Sequence, residues 1–107
     1  MSESTYQIVL NTCPDEAVAH TIANALVERR LAACVNIVPG IVSVYRWQGK
    51  ISEDQELLLI IKSTTDAFPA ISDCIQSLHP YELPEIIAVP IATGFQPYLS
   101  WMSNPEQ

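Results

Sequence analysis

The sequence predicts an α+β fold of βαββαβ order, and three observations carry that reading. Apolar residues at helical spacing alternate with runs of strand formers, a Pro-Gly pair bends one long extended run without ending it, and Leu57 to Ile61 is a continuous apolar run. No linker, repeat or low-complexity block divides the chain, so residues 1–107 are read as a single domain.

Tyr6-Gln7-Ile8-Val9-Leu10 reads as the first strand. Thr12-Cys13-Pro14-Asp15-Glu16 then opens a helix, with a capping-type residue, an early proline and acids in the positive first turn. Val18, Ile22, Ala25 and Leu26 recur at helical spacing as far as the basic pair Arg29-Arg30. A second strand starts over Cys34 to Val38, bends at Pro39-Gly40 and resumes over Ile41 to Trp47. Gln48-Gly49-Lys50 is a turn, and Glu53 to Ser63 is the return strand of a hairpin long enough to project beyond the core. Thr64-Thr65-Asp66 opens the second helix, with Phe68, Ile71, Ile75 and Leu78 as its stripe and Pro69 tolerated in its first turn. The connection from His79 leads into the last main strand, Ile86 to Ile91, which Gly94 ends before a short C-terminal aromatic segment, Tyr98 to Met102.

Two βαβ-like halves around a central hairpin make a ferredoxin-like sandwich, an antiparallel sheet with both helices on one face. The other face is then bare. The apolar run at residues 57–61 needs cover there, most simply from a second subunit.

Charge narrows the function classes. Five Lys and Arg against twelve Asp and Glu give a net charge of -7, with no basic run to neutralise phosphates, which argues against nucleic acid and anionic membranes as partners. The apolar run at 57–61 is far too short to span a bilayer, and Met1-Ser2-Glu3-Ser4 lacks the basic start of a secretory leader, so the expected location is the cytoplasm. Hydrophobic residues are 49% of the chain and charged ones only 16%, little polar surface for a solvated monomer. Cys13, Cys34 and Cys74 form no CxxC pair or zinc pattern and read as reduced thiols.

Four segments, in order, resemble the CutA family of divalent-cation tolerance proteins: Leu31-Ala32-Ala33-Cys34-Val35-Asn36, Ser43-Val44-Tyr45-Arg46-Trp47-Gln48-Gly49-Lys50, His79-Pro80-Tyr81-Glu82-Leu83-Pro84-Glu85-Ile86 and Tyr98-Leu99-Ser100-Trp101. The resemblance implies a tight homotrimer similar in architecture to PII signalling proteins, with clefts between subunits. It also implies a role in tolerance of divalent cations, copper above all. Bacterial relatives associated with copper close the first strand with cysteine and carry paired histidines before Pro-Tyr. Here Asn11 and Leu78-His79 stand at those places, which implies a weak copper site.

His79 has two readings: a helix-end imidazole complementing the dipole, or a ligand for Cu2+ or another divalent cation together with Glu82, Glu85 and Cys13. Cys13, read at a helix N-terminus, is either a thiolate of lowered pKa or a buried thiol. Lys62 is either a snorkelling surface residue or the partner of Glu85, lining an inter-subunit cleft for a small anion with Tyr45, Trp47 and Tyr81. That second reading makes the protein a PII-like sensor or scaffold for a small molecule or protein partner. Tyr98 and Trp101 read as interface anchors. With three glycines and no Ser/His/Asp arrangement, the chain is not expected to be an enzyme and needs no obligatory cofactor. A Cys13–His79 nucleophile–base pair is the one enzymatic alternative.

Overall fold

A computed structural model describes residues 5–105, so Met1 to Ser4, on which the leader reading rests, lie outside the described residues. Strand β1 (Tyr6–Cys13) leads into helix α1 (Glu16–Glu28), then strands β2 (Cys34–Trp47) and β3 (Lys50–Thr64), helix α2 (Phe68–Leu78), strand β4 (Ile87–Pro90) and helix α3 (Gln96–Ser103). The strands form one antiparallel sheet in the order β2-β3-β1-β4, the ferredoxin-like arrangement expected from the sequence.

The first strand runs three residues further than the sequence suggests. Cys13 therefore closes β1 and does not open the helix. Asp15 is the true N-cap: its backbone is extended (φ -154°) and its carboxylate accepts from the Val18 amide at 2.9 Å. Pro14 precedes the cap instead of occupying the first turn. At the other end Arg30 takes a left-handed φ of 61°, which turns the chain out of α1.

β2 and β3 pair from Cys34↔Lys62 to Trp47↔Lys50, with the register slipping between Val38 and Ile41. Pro39-Gly40 fills that slip, and Gly40 takes φ 76°, the left-handed geometry that a glycine bulge uses. Gln48 and Gly49 (φ 50° and 79°) make the two-residue turn with both central φ positive, which matches strand twist. β1 pairs with β3 only over Leu57–Thr64, so the stretch of hairpin beyond Glu56 has no third strand and projects. Pro90 and Pro39 sit on β4 and β2, the two edge strands, where a missing N–H costs no inner ladder bond.

α1 and α2 cover one face of the sheet. Val9, Leu59 and Ile61 from the strands pack with Ile22 and Leu26 of α1 and Ile71 and Ile75 of α2. Strand alternation sends Leu58 and Ile60 to the opposite face, where they are only half-buried within the chain. Their register partners Val38, Leu10 and, through Leu10 and Ile8, Ile87 and Val89 continue that face, the last two being 51% and 47% exposed. A single chain thus covers one face of the 57–61 run and leaves the other as an apolar patch.

The aromatic C-terminal segment is a helix, α3, which strand-and-breaker reasoning left without a structure. Pro97 in its first turn and Met102, buried, set its entry and its anchor. It ties to β1 through Tyr6 Oη and Ser103 Oγ, 2.7 Å apart, and to β3 where Lys62 Nζ lies 5.7 Å from the Tyr98 ring centroid.

Leu59 is fully buried at the centre of the core. Replacing it with alanine is expected to cost about 2–5 kcal/mol, by lost transfer energy and the cavity left behind, read as a lowered denaturation midpoint.

Candidate functional site

The connection between α2 and β4 is shaped by Pro80 and Pro84 and clipped to the sheet at both ends. Pro80 keeps His79 out of the helical region (φ -84°, ψ 136°), so α2 stops at Leu78. The imidazole then turns inward and is buried. Its Nε2 lies 2.7 Å from the Thr12 carbonyl, and its Nδ1 accepts from the Tyr81 amide at 3.1 Å. A carbonyl can only accept and an amide N–H can only donate, so the ring carries its proton on Nε2. The Tyr81 ring packs against the imidazole at 4.6 Å between centroids. At the far end Asn11, fully buried, donates to the Glu85 carbonyl at 2.9 Å.

From this clip Tyr81 reaches across to β3 and donates its hydroxyl to Glu56 at 2.7 Å. Burial, then the bond and charge of Glu56, push the Tyr81 phenol well above its usual range, so it stays a donor. On the hairpin, Tyr45 makes the same kind of bond to Asp54, which likewise raises its pKa. Between hairpin and connection opens a groove of about 640 Å³ whose walls include Tyr45, Arg46, Trp47, Glu56, Tyr81, Glu82 and Glu85.

The structure brings together four of the five residues expected in the cleft, Tyr45, Trp47, Tyr81 and Glu85, and sets beside them Glu82, expected among the metal ligands. Lys62 is not among them. It pairs with Cys34 and Ile8, several residues along β3 from the groove, and its ammonium lies against Tyr98. The groove is therefore not a lysine-lined anion cleft within the chain; its walls carry three carboxylates against Arg46.

Nor does one chain gather the expected metal set. Both ring nitrogens of His79 are spent on backbone groups. Cys13 is fully buried, donates to Asn11 Oδ1 at 3.4 Å, and is pushed up to about 11 by burial and by the charges of Glu56 and Asp15. Of the two readings of Cys13, the buried thiol holds and the thiolate of lowered pKa does not, because the residue ends a strand in the core. Its hydrogen bond goes to Asn11, not His79, so the nucleophile–base pair is not formed. Among the described residues no group of three or more His, Cys, Asp and Glu side chains converges on one point. These residues do not fit a resident copper centre within a chain.

Glu56 was missed by sequence reasoning. Its signal was present: an acid one step before the apolar run, in phase with Leu58 and Ile60, yet only 7% exposed. Asn11 was weighed only as a failed ligand, whereas it holds the end of the connection.

The profile of the CutA1 divalent ion tolerance protein family matches residues 7–105. A divalent-cation tolerance protein CutA of Thermus thermophilus is 62% identical over 90% of this chain and 93% of its own length. Human protein CutA is 54% identical over 85% of this chain and 51% of its own length, so the chain spans about half of that relative. The solved structure of the divalent cation tolerance protein (Cut A1) from Thermus thermophilus superposes with a TM-score of 0.90 at 60% identity, covering 92% of this chain and 95% of that one.

The raised Cys13 thiol makes a pH prediction. As pH rises from 9.0 to about 11 the unfolded chain releases the Cys13 proton before the folded one does, so stability falls across that window. Denaturation midpoints followed over this range in the native protein and in Cys13→Ala should show a shallower alkaline decline in the variant.

Proposed function

This chain belongs to the CutA1 family of divalent ion tolerance proteins, and on that premise we propose that it serves divalent-cation tolerance as a homotrimer that meets cations weakly, through carboxylates. The observation that carries the weak-binding reading is the double engagement of His79. Its imidazole is the donor that would confer copper preference, and binding a metal there would break the bond to Thr12 or the bond from Tyr81. Cys13, the softest candidate, is a protonated core thiol. Glu82 and Glu85 remain as exposed oxygen donors on the groove wall. Such carboxylates hold divalent cations loosely and select little among them.

The trimer rests on the second face of the sheet. Leu10, Val38, Leu58, Ile60 and Ile87 form a continuous apolar patch on that face. Copies packed around an axis would cover it and convert the groove into a cleft between subunits.

Two measurements test this reading. Calorimetric titration of Cu2+ and Zn2+ should give weak isotherms unchanged in His79→Ala and reduced in Glu82→Gln/Glu85→Gln. Tight copper binding lost with His79 would overturn it. His79→Ala should instead lower stability by about 1–3 kcal/mol, leaving the Thr12 and Tyr81 backbone groups without their partner. Light scattering should give the mass of three chains, and Ile60→Asp, which places a charge in the patch, should give a smaller species.

A further inference from the structure

The His79 imidazole is held by two hydrogen bonds of opposite sense, and only the neutral ring can make both. Its Nε2–H donates to the Thr12 carbonyl at 2.7 Å, while its Nδ1 accepts from the Tyr81 amide at 3.1 Å. A proton arriving at Nδ1 turns that acceptor into a donor aimed at another donor. The Thr12 bond survives the change, since Nε2 is a donor in either state. The Tyr81 bond does not. The residue is only 8% exposed, so little water reaches the junction to replace what is lost.

What moves is set by what stays tied. α2 ends at Leu78, immediately before the ring, and the far end of the connection is fastened where Asn11 donates to the Glu85 carbonyl at 2.9 Å. Between these ties Tyr81 makes the contacts to the frame. Its amide bonds to the imidazole, its ring packs on it at 4.6 Å between centroids, and its hydroxyl reaches Glu56 at 2.7 Å. Tyr81, Glu82, Leu83 and Glu85 are also the connection's share of the groove wall. Releasing the Tyr81 amide therefore reshapes one wall of the groove and leaves the sheet intact.

Imidazole is the side chain suited to answer a mild fall in pH. The Cys13 thiol at the end of β1 and the Tyr81 phenol are both pushed up, and they stay protonated. The acids around the junction are Glu56 of β3 and Asp15 before α1, whose charges reach Cys13, with Glu82 and Glu85 of the connection. No ionisable residue stands in the last turn of α2 or in β4. The Tyr81 amide donates to the ring and to none of these acids, so the ring couples a proton to that bond.

We infer that His79 is an acid-released latch: neutral, it holds the α2–β4 connection against the sheet, and protonated at Nδ1 it frees the segment from Tyr81 to Pro84 and reshapes the groove wall. Both bonds lie within one chain, so the latch depends neither on the weak cation binding proposed above nor on the trimer.

The test is a pH titration of the purified protein in its native assembly, downward from neutral, followed by heteronuclear NMR at the His79 ring and the Tyr81 amide. The Tyr81 amide resonance is expected to shift with the same midpoint as ring protonation, while the Ile61 amide in the core strand stays in place. His79→Asn offers an amide oxygen as an acceptor that does not titrate, and should hold the residue 81 resonance constant over that range. Tyr81→Phe severs the link to Glu56 but keeps the amide, and should retain the transition; it separates the ring from Glu56 if His79→Asn does not fold. The inference is overturned by a Tyr81 amide that stays still as the ring takes its proton, or by loss of the assembly before the ring is protonated. A shift that persists in folded His79→Asn, or that vanishes in folded Tyr81→Phe, overturns it equally.

Discussion

The two hydrogen bonds of the His79 imidazole are the constraint on which the functional end of this molecule depends. They join the end of β1, through the Thr12 carbonyl, to the connection that follows α2, through the Tyr81 amide. Once that junction is made, Tyr81 is aimed at Glu56 on β3, and Asn11 secures the other end of the connection at Glu85. Two strands and one loop are thereby set relative to one another by polar contacts. A buried network of this kind rigidifies a site because each lost bond would leave a desolvated group behind.

Much of the fold was legible because it rests on periodicity and on backbone chemistry that single residues impose. Pro39-Gly40 marks a bulge, Gln48-Gly49 marks a tight turn, and the unbroken run at 57–61 marks a strand that one chain cannot cover alone. What was misplaced turns on local competition. Asp15 outcompetes Thr12 as the cap because its carboxylate reaches the Val18 amide, and that shift moves Cys13 from a helix end to a strand end. The thiol's chemistry changes sign with its address: burial raises its pKa where a dipole would have lowered it. The helix over Gln96–Ser103 is held by tertiary contacts, Met102 buried beneath it and Ser103 on Tyr6, which short-range patterns do not reveal.

The site was half legible for a similar reason. The segment from His79 to Ile86 declares itself by its prolines, but which way an imidazole points is a tertiary fact. Facing outward, its nitrogens would be open to a ligand; facing Thr12, they are engaged by the backbone. Lys62 shows the same dependence, since strand register carries it away from the aromatic groove and onto Tyr98. Glu56 went unnoticed because a lone acid beside an apolar run is usually a solvated strand end. Here the connection folds over it and removes it from water.

A division of labour between the two sides of the connection follows from these placements. Its inner side is spent on structure: His79 and Asn11 have their polar atoms engaged by the chain itself. Its outer side keeps the exposed carboxylates of Glu82 and Glu85 on the groove wall. Recruiting the inner side for metal would exchange good backbone hydrogen bonds for coordination and loosen the aim of Tyr81. Recruiting the Glu82 and Glu85 carboxylates on the outer side breaks none of these hydrogen bonds. In the cation binding proposed for this chain the oxygen donors are exposed carboxylates of the connection, and the part left to His79 is to hold the frame that carries them.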